Sequence, residues 1–155
     1  MEARDWICQA RLQKDTLRRM HPADPGQALV LDPILIVDDE ASILEAFSSA
    51  LSPHFDVTTA TSARAADFIL QKKAFKVVVA DHLMPGGNGM SFLVRAREEF
   101  PNMQRILVTG YMKPEMLIRS VNEAALFRYL LKPVTLAELI KVVREAAAAA
   151  DAAAS

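Results

Sequence analysis

Residues 75–89, FKVVVADHLMPGGNG, constrain the fold more than any other stretch of the chain. Val77, Val78, Val79 and Ala80 form an unbroken apolar run, as expected of a strand buried on both faces of a parallel sheet. The run stops at a carboxylate, Asp81, and Pro85 with three glycines then forces the chain to turn. Taken alone, Asp81 is as readily an acid that ends a strand or caps a helix. In open α/β sheets, however, an acid at the carboxyl end of a buried strand stands where the chemistry is placed.

The same pattern recurs along the chain. Ile34-Leu-Ile-Val37 is apolar and runs into Asp38, Asp39 and Glu40. A helix follows over 41–51, with Ile43, Leu44, Phe47 and Leu51 on one face, until Ser52-Pro53 ends it. FDVTTA (55–60) reads as a shorter strand. Ser62 caps the next helix, whose apolar residues are Ala65, Phe68 and Ile69. After the Asp81 strand, residues 90–100 form a helix with Phe92, Leu93 and Ala96 inward, stopped by Pro101. Ile106-Leu-Val108 is a strand that ends at Thr109-Gly110. Residues 114–125 form a helix with proline in its first turn. Residues 127–131 form a strand ending at Lys132-Pro133, and Thr135 with Glu138 is a capping box for the last helix. That helix runs through Leu136, Leu139, Ile140 and Val143 into alanine-rich turns that are expected to bury nothing specific.

Five strands alternating with five helices imply right-handed βαβ units, with helices on both faces of one parallel sheet. The apolar fraction of 52% is ample for such a core. Residues 31–147 are expected to form this domain, residues 148–155 an alanine-rich tail or linker, and residues 1–30 an N-terminal extension. The extension is loosely helical, with apolar points at Trp6, Ile7, Leu12, Leu17 and Met20, until His21-Pro-Ala-Asp-Pro-Gly breaks it. It reads either as a segment ordered only by contact with a neighbour or as a docking helix that uses Trp6 and Ile7. The charges balance, 18 basic against 19 acidic, so nothing argues for nucleic acid or an anionic membrane as partner. Cys8 has neither a disulfide mate nor metal-ligand companions. No apolar run approaches the roughly 18 to 20 residues of a membrane span, and the N-terminus lacks the core of a secretory signal. A cytoplasmic location is the expectation.

Asp38, Asp39, Asp81, Thr109 and Lys132 all fall at carboxyl ends of strands, on one edge of the sheet. Three carboxylates held close repel unless a hard cation sits between them, and Mg²⁺ takes few carboxylates, several waters and a phosphate oxygen. A carboxylate in such a site can accept a phosphoryl group as an acyl phosphate. The charge that spreads over the phosphoryl oxygens then calls for cations and donors, which Lys132, Mg²⁺ and the Thr109 hydroxyl supply.

ILIVDDE (34–40), VVVADHLMPGGNG (77–89), ILVTG (106–110) and YLLKP (129–133) together resemble the receiver domain of two-component response regulators, over roughly three quarters of the chain. The resemblance implies a flavodoxin-like, doubly wound five-stranded parallel sheet in strand order 2-1-3-4-5 with five surrounding helices. It makes Asp81 the phosphoacceptor and Asp39 a direct ligand of Mg²⁺, with Asp38 acting more through water. The backbone carbonyl of Leu83 becomes the third protein ligand. Thr109 and Lys132 contact the phosphoryl group, and Thr109 with Tyr129 forms the switch. The donor is a histidine kinase or phosphotransfer protein. The partner face lies on the fourth helix, fifth strand and fifth helix, including Arg119, Arg128 and Lys141, and serves a homodimer or an output. Residues 110–133 also resemble receivers attached to cyclic-dinucleotide phosphodiesterase or transcriptional outputs. Polar side chains that orient the hydrolytic water in fast members of this family are replaced by Leu83 and Tyr111, which implies a long-lived phosphoprotein. His82 reads as structural.

Three other readings share parts of the pattern. A flavodoxin-like cofactor binder needs a Ser, Thr and Gly loop after the first strand, where this chain has acids. A haloacid-dehalogenase-type phosphatase needs its nucleophile two residues before a second Asp on that strand. A degenerate receiver would serve only as a protein docking module, against which the intact set of five residues stands.

Overall fold

The computed structural model describes residues 30–84, 87–110 and 112–154. The expectations for an N-terminal helix carrying Trp6 and Ile7, for Pro85 and Gly86, and for Tyr111 lie outside these residues.

Five parallel strands form the central sheet: β1 (Pro33–Val37), β2 (Asp56–Ala60), β3 (Val77–Asp81), β4 (Gln104–Thr109) and β5 (Arg128–Leu131), in the order β2-β1-β3-β4-β5. The expected doubly wound order 2-1-3-4-5 is the observed one. Leu35 pairs with Thr58 on one side and Val78 on the other, Ala80 with Leu107, and Leu107 with Tyr129. Helices cover both faces, so β1 and β3 carry no polar side chain until their carboxyl ends, and β4 carries polar residues only at its start, Gln104 and Arg105, and at its end, Thr109. Side chains of a strand alternate between faces. Ile34, Ile36, Val77, Val79, Ile106 and Val108 pack on one side against α1 (Ala41–Leu51) and α5 (Leu136–Ala154). Leu35, Val37, Val78, Ala80 and Leu107 pack on the other against α2 (Ala63–Leu70), α3 (Gly89–Glu99) and α4 (Pro114–Ala124).

Caps set the helix starts. The Ser62 hydroxyl accepts from the Ala65 amide at 3.0 Å, and the Thr135 hydroxyl from the Glu138 amide at 3.1 Å. Asn88 caps α3, its Oδ1 accepting from the Ser91 amide at 2.7 Å. Between β3 and α3, Leu83–Met84 and Gly87–Asn88 pair as a small antiparallel hairpin.

Two expectations about packing fail. Phe68 is 62% exposed, lying under the Lys72 ammonium, and Ala66 and Leu70 are the buried residues of α2. The alanine-rich end of α5 is not an idle tail. The helix is continuous to Ala154, and Ala146, Ala147 and Ala150 are buried in it. Alanine has the highest helix propensity, and its small side chain lets the helix lie close. Asp151 in the same turns pairs with Lys76 at 2.6 Å, and Lys76 also reaches Asp32 at 2.7 Å. Leu136, at the start of the same helix, is 44% exposed.

Candidate functional site

The parallel sheet brings the ends of β1, β3, β4 and β5 to one edge. Asp38 follows β1 and is buried, its amide donating to the Ala60 carbonyl at 3.1 Å. Its Oδ1 accepts from the Glu40 amide at 2.9 Å, which fixes the carboxylate across the turn into α1. Asp39 beside it is exposed. Asp81 ends β3 and is buried. Asp38, Asp39 and Asp81 each offer a carboxylate oxygen within 4.8 Å of the others.

Lys132 enters from β5. Its amide donates to the Thr109 carbonyl at 2.8 Å, which carries the side chain back over β4. Its ammonium lies 3.2 Å from Asp81 Oδ1 and 4.0 Å from Asp38 Oδ2. The peptide bond to Pro133 is cis. Thr109 is buried at the end of β4, one residue beyond the Val108 that pairs with Asp81. Tyr129 pairs with Leu107, and its side chain is half exposed at the sheet edge.

Among the described residues, the Lys132 ammonium thus meets two of the three clustered carboxylates, Asp38 and Asp81. Burial pushes the Asp38 carboxyl above the usual carboxylate range, and the charges of Asp81 and Asp39 push the same way. The Glu40 amide and the Lys132 ammonium pull against this. A cluster of oxygens with surplus negative charge, part buried and part open at Asp39, fits a hard divalent ion such as Mg²⁺ that keeps some of its water.

Two further residues bear on the site. Gly89 passes so close to the strand end that a Cβ there would lie 1.9 Å from the Asp81 carbonyl oxygen. Its amide donates to the His82 carbonyl at 3.0 Å and closes the hairpin onto β3. In sequence, Gly89 is merely one glycine of a loop; only the packing shows that a side chain there would force the backbone to shift. His82 is itself buried, and its Nδ1 has no hydrogen-bond partner among the described residues. Leu83, by contrast, points outward and is 71% exposed.

An acid cluster, a facing lysine and a buried threonine at the carboxyl edge of a 2-1-3-4-5 sheet define a receiver. The chain belongs to the family described as response regulator receiver domain, which it matches over residues 34–144. It is 39% identical over 113 residues to the hydrogenase transcriptional regulatory protein HoxA of Cupriavidus necator, covering 73% of this chain and 23% of that protein. It is 33% identical over 101 residues to the alginate biosynthesis transcriptional regulatory protein AlgB of Pseudomonas syringae, covering 64% and 22%. This chain therefore spans less than a quarter of the length of these relatives. Among solved structures, a CheY-like receiver from Methanospirillum hungatei superposes with a TM-score of 0.74 at 30% identity, over 78% of this chain and 97% of that one. No helix among the described residues is long and apolar enough to cross a membrane.

Proposed function

We propose that this chain is the phosphoacceptor of a two-component phosphorelay, and that Asp81 takes the phosphoryl group from a histidine kinase or phosphotransfer protein. The observation that carries the reading is the Lys132 ammonium at 3.2 Å from Asp81 Oδ1, with the oxygens of Asp38 and Asp39 within 4.8 Å. An Asp81 oxygen attacks the phosphorus of the phosphohistidine. The O–P bond forms as the P–N bond breaks, and the electron pair leaves with the imidazole nitrogen, which takes up a proton. Lys132 balances charge on the incoming phosphoryl oxygens, and the Thr109 hydroxyl donates to one of them. Asp39, Asp81 and the Leu83 carbonyl would hold Mg²⁺, with Asp38 acting through water. When bound, the metal neutralises carboxylates and phosphoryl oxygens that would otherwise repel.

Drawing the Thr109 side chain toward the phosphoryl group frees space that the half-exposed Tyr129 ring fills. Only the inward state makes that hydrogen bond, so the phosphoryl group favours it. The surface that changes carries exposed Met116, Ile118, Val121, Leu131 and Leu136, flanked by Arg119, Arg128 and Lys141. This face serves a second copy or an output, and the transcriptional relatives favour an output that controls transcription. The test is intact mass after incubation with acetyl phosphate. Wild type gains one phosphate with Mg²⁺ and none in excess chelator, and Asp81→Asn gains none. A full adduct on Asp81→Asn overturns the assignment; no adduct on wild type leaves the chain a docking module.

A further inference from the structure

Two arginines outside the strand-end site meet at one place, the C-terminal end of α4. Arg105, on β4, is 5% exposed. Its Nε donates to the Ala124 carbonyl at 2.8 Å, one terminal nitrogen to Ala125 at 3.2 Å and the other to Met103. Arg97, on α3, donates to the carbonyls of Asn122 at 3.0 Å and Glu123 at 2.8 Å. Four consecutive carbonyls, 122 to 125, are thereby taken by guanidinium N–H groups. A helix leaves its last carbonyls unpaired and partially negative, so two cations suit this end. Neither arginine forms an ion pair with a carboxylate among the described residues.

The other end of α4 is held differently. Lys113 at the N-cap provides no side-chain hydrogen bond, and the buried residues of the helix are Ser120 and Ala124, both in its second half. Met116 and Ile118 are exposed. Upstream, Gly110 is exposed and a Cβ placed on it would meet nothing within 4 Å, while Met112 packs against the core and meets the Ser120 hydroxyl at 3.6 Å. The strand that carries Arg105 also carries Thr109, so one rigid element reaches both the anchored end of the helix and the switch.

We propose that Arg97 and Arg105 make the C-terminal end of α4 a fixed pivot, so that phosphorylation displaces the start of the helix and leaves its end in place. The proposal rests on the phosphoacceptor reading above. Eleven residues make a helix about 16 Å long. A tilt of about 10° about its end therefore carries its start by about 3 Å, beside the exposed Met116 and Ile118. The two arginines are positioning residues: they act on the output face through α4 and touch no reacting atom.

Amide hydrogen exchange on the full chain tests this, with wild type, Arg97→Met and Arg105→Lys compared in Mg²⁺ with and without beryllofluoride. Binding of the mimic is followed separately by fluorine NMR. Arg97 is exposed, and its loss leaves the core intact; Arg105→Lys keeps the buried charge but loses the fork. Without the mimic, Arg97→Met is expected to exchange about tenfold faster at 122–126 and unchanged at 117–119. With the mimic bound, wild type changes at 112–119 and not at 122–126, whereas the variants change along the whole helix. A wild type that changes equally at both ends, or an Arg97→Met that exchanges as wild type does, overturns the pivot. A mimic that does not bind overturns the phosphoacceptor reading instead, and the mimic-free comparison still reports whether the arginines hold the helix end.

Discussion

Replacing Asp38 with Asn should stabilise this protein in the absence of divalent metal. The substitution keeps the oxygen that accepts from the Glu40 amide at 2.9 Å and removes the charge. Repulsion from Asp81, with oxygens within 4.8 Å, and attraction to Lys132 at 4.0 Å are each about 4 kcal/mol at an effective dielectric constant near 20, so they nearly cancel. What remains is repulsion from exposed Asp39, about 1 kcal/mol in a water-like medium, and the burial of a charged side chain that is 3% exposed. The expected gain is about 1–2 kcal/mol, or about 3–6 °C in Tm for a domain of this size. The pH dependence has a definite sign. The folded-state pKa of Asp38 is raised, so wild-type stability falls as pH rises from the ordinary value of about 3.9 through the folded value. The advantage of Asn therefore grows as pH rises through the folded value and vanishes in acid. Magnesium at about ten times its Kd returns about 1.4 kcal/mol to the wild type; the variant keeps the direct ligands but lacks the carboxylate that holds the ion's water, so it gains less and the gap narrows. Urea unfolding of both proteins, in chelator and in Mg²⁺, at pH 7 and at lower pH, measures every term. A variant no more stable than wild type in chelator at pH 7, or an advantage that grows with Mg²⁺, would refute the reasoning.

Leu83→Asn places a polar side chain at an exposed position beside Asp81, able to orient the water that attacks an acyl phosphate. Phosphoprotein decay after donor removal should be about tenfold faster than in wild type; an equal rate would show that Leu83 does not set the lifetime. Ala125 adopts the left-handed conformation, φ 45°, at the end of α4, so Ala125→Gly should raise stability by about 0.5–1 kcal/mol in chemical denaturation, strain relief outweighing the added chain entropy. Gly89→Ala sets a methyl against the Asp81 carbonyl and should cost about 2 kcal/mol or more, with loss of phosphate uptake from acetyl phosphate in the fraction that stays folded. On α5, Ala147→Glu forces a charge into the buried turns and should lower the urea midpoint clearly, whereas Phe68→Ser on exposed α2 surface should move stability by no more than about 0.5 kcal/mol.

Strand ends and helix starts were legible from residue order because they rest on local physics. Apolar runs stop where a polar residue is needed, as at Asp38 and Asp81, and caps such as Ser62 and Thr135 act within three residues of themselves. The strand-end acids could be grouped because parallel connections return every carboxyl end to one edge. Periodicity failed where two faces of a helix compete for burial. Phe68 is large and apolar, yet the sheet admits Ala66 and Leu70, and the closeness of that approach is a property of the partner surface. The alanines after Ala146 carry no pattern that distinguishes a core from a linker; the sheet beneath them decides, with Lys76 meeting Asp151. Arg97 and Arg105 look like two unrelated surface charges, and their joint hold on α4 exists only because β4 and α3 deliver them to the same carbonyls. Sequence alone thus determined where the five strands and five helices of the domain lie and which residues end the strands. Tertiary structure decided which faces are buried and which distant groups meet, because burial and long-range hydrogen bonds depend on the surface opposite.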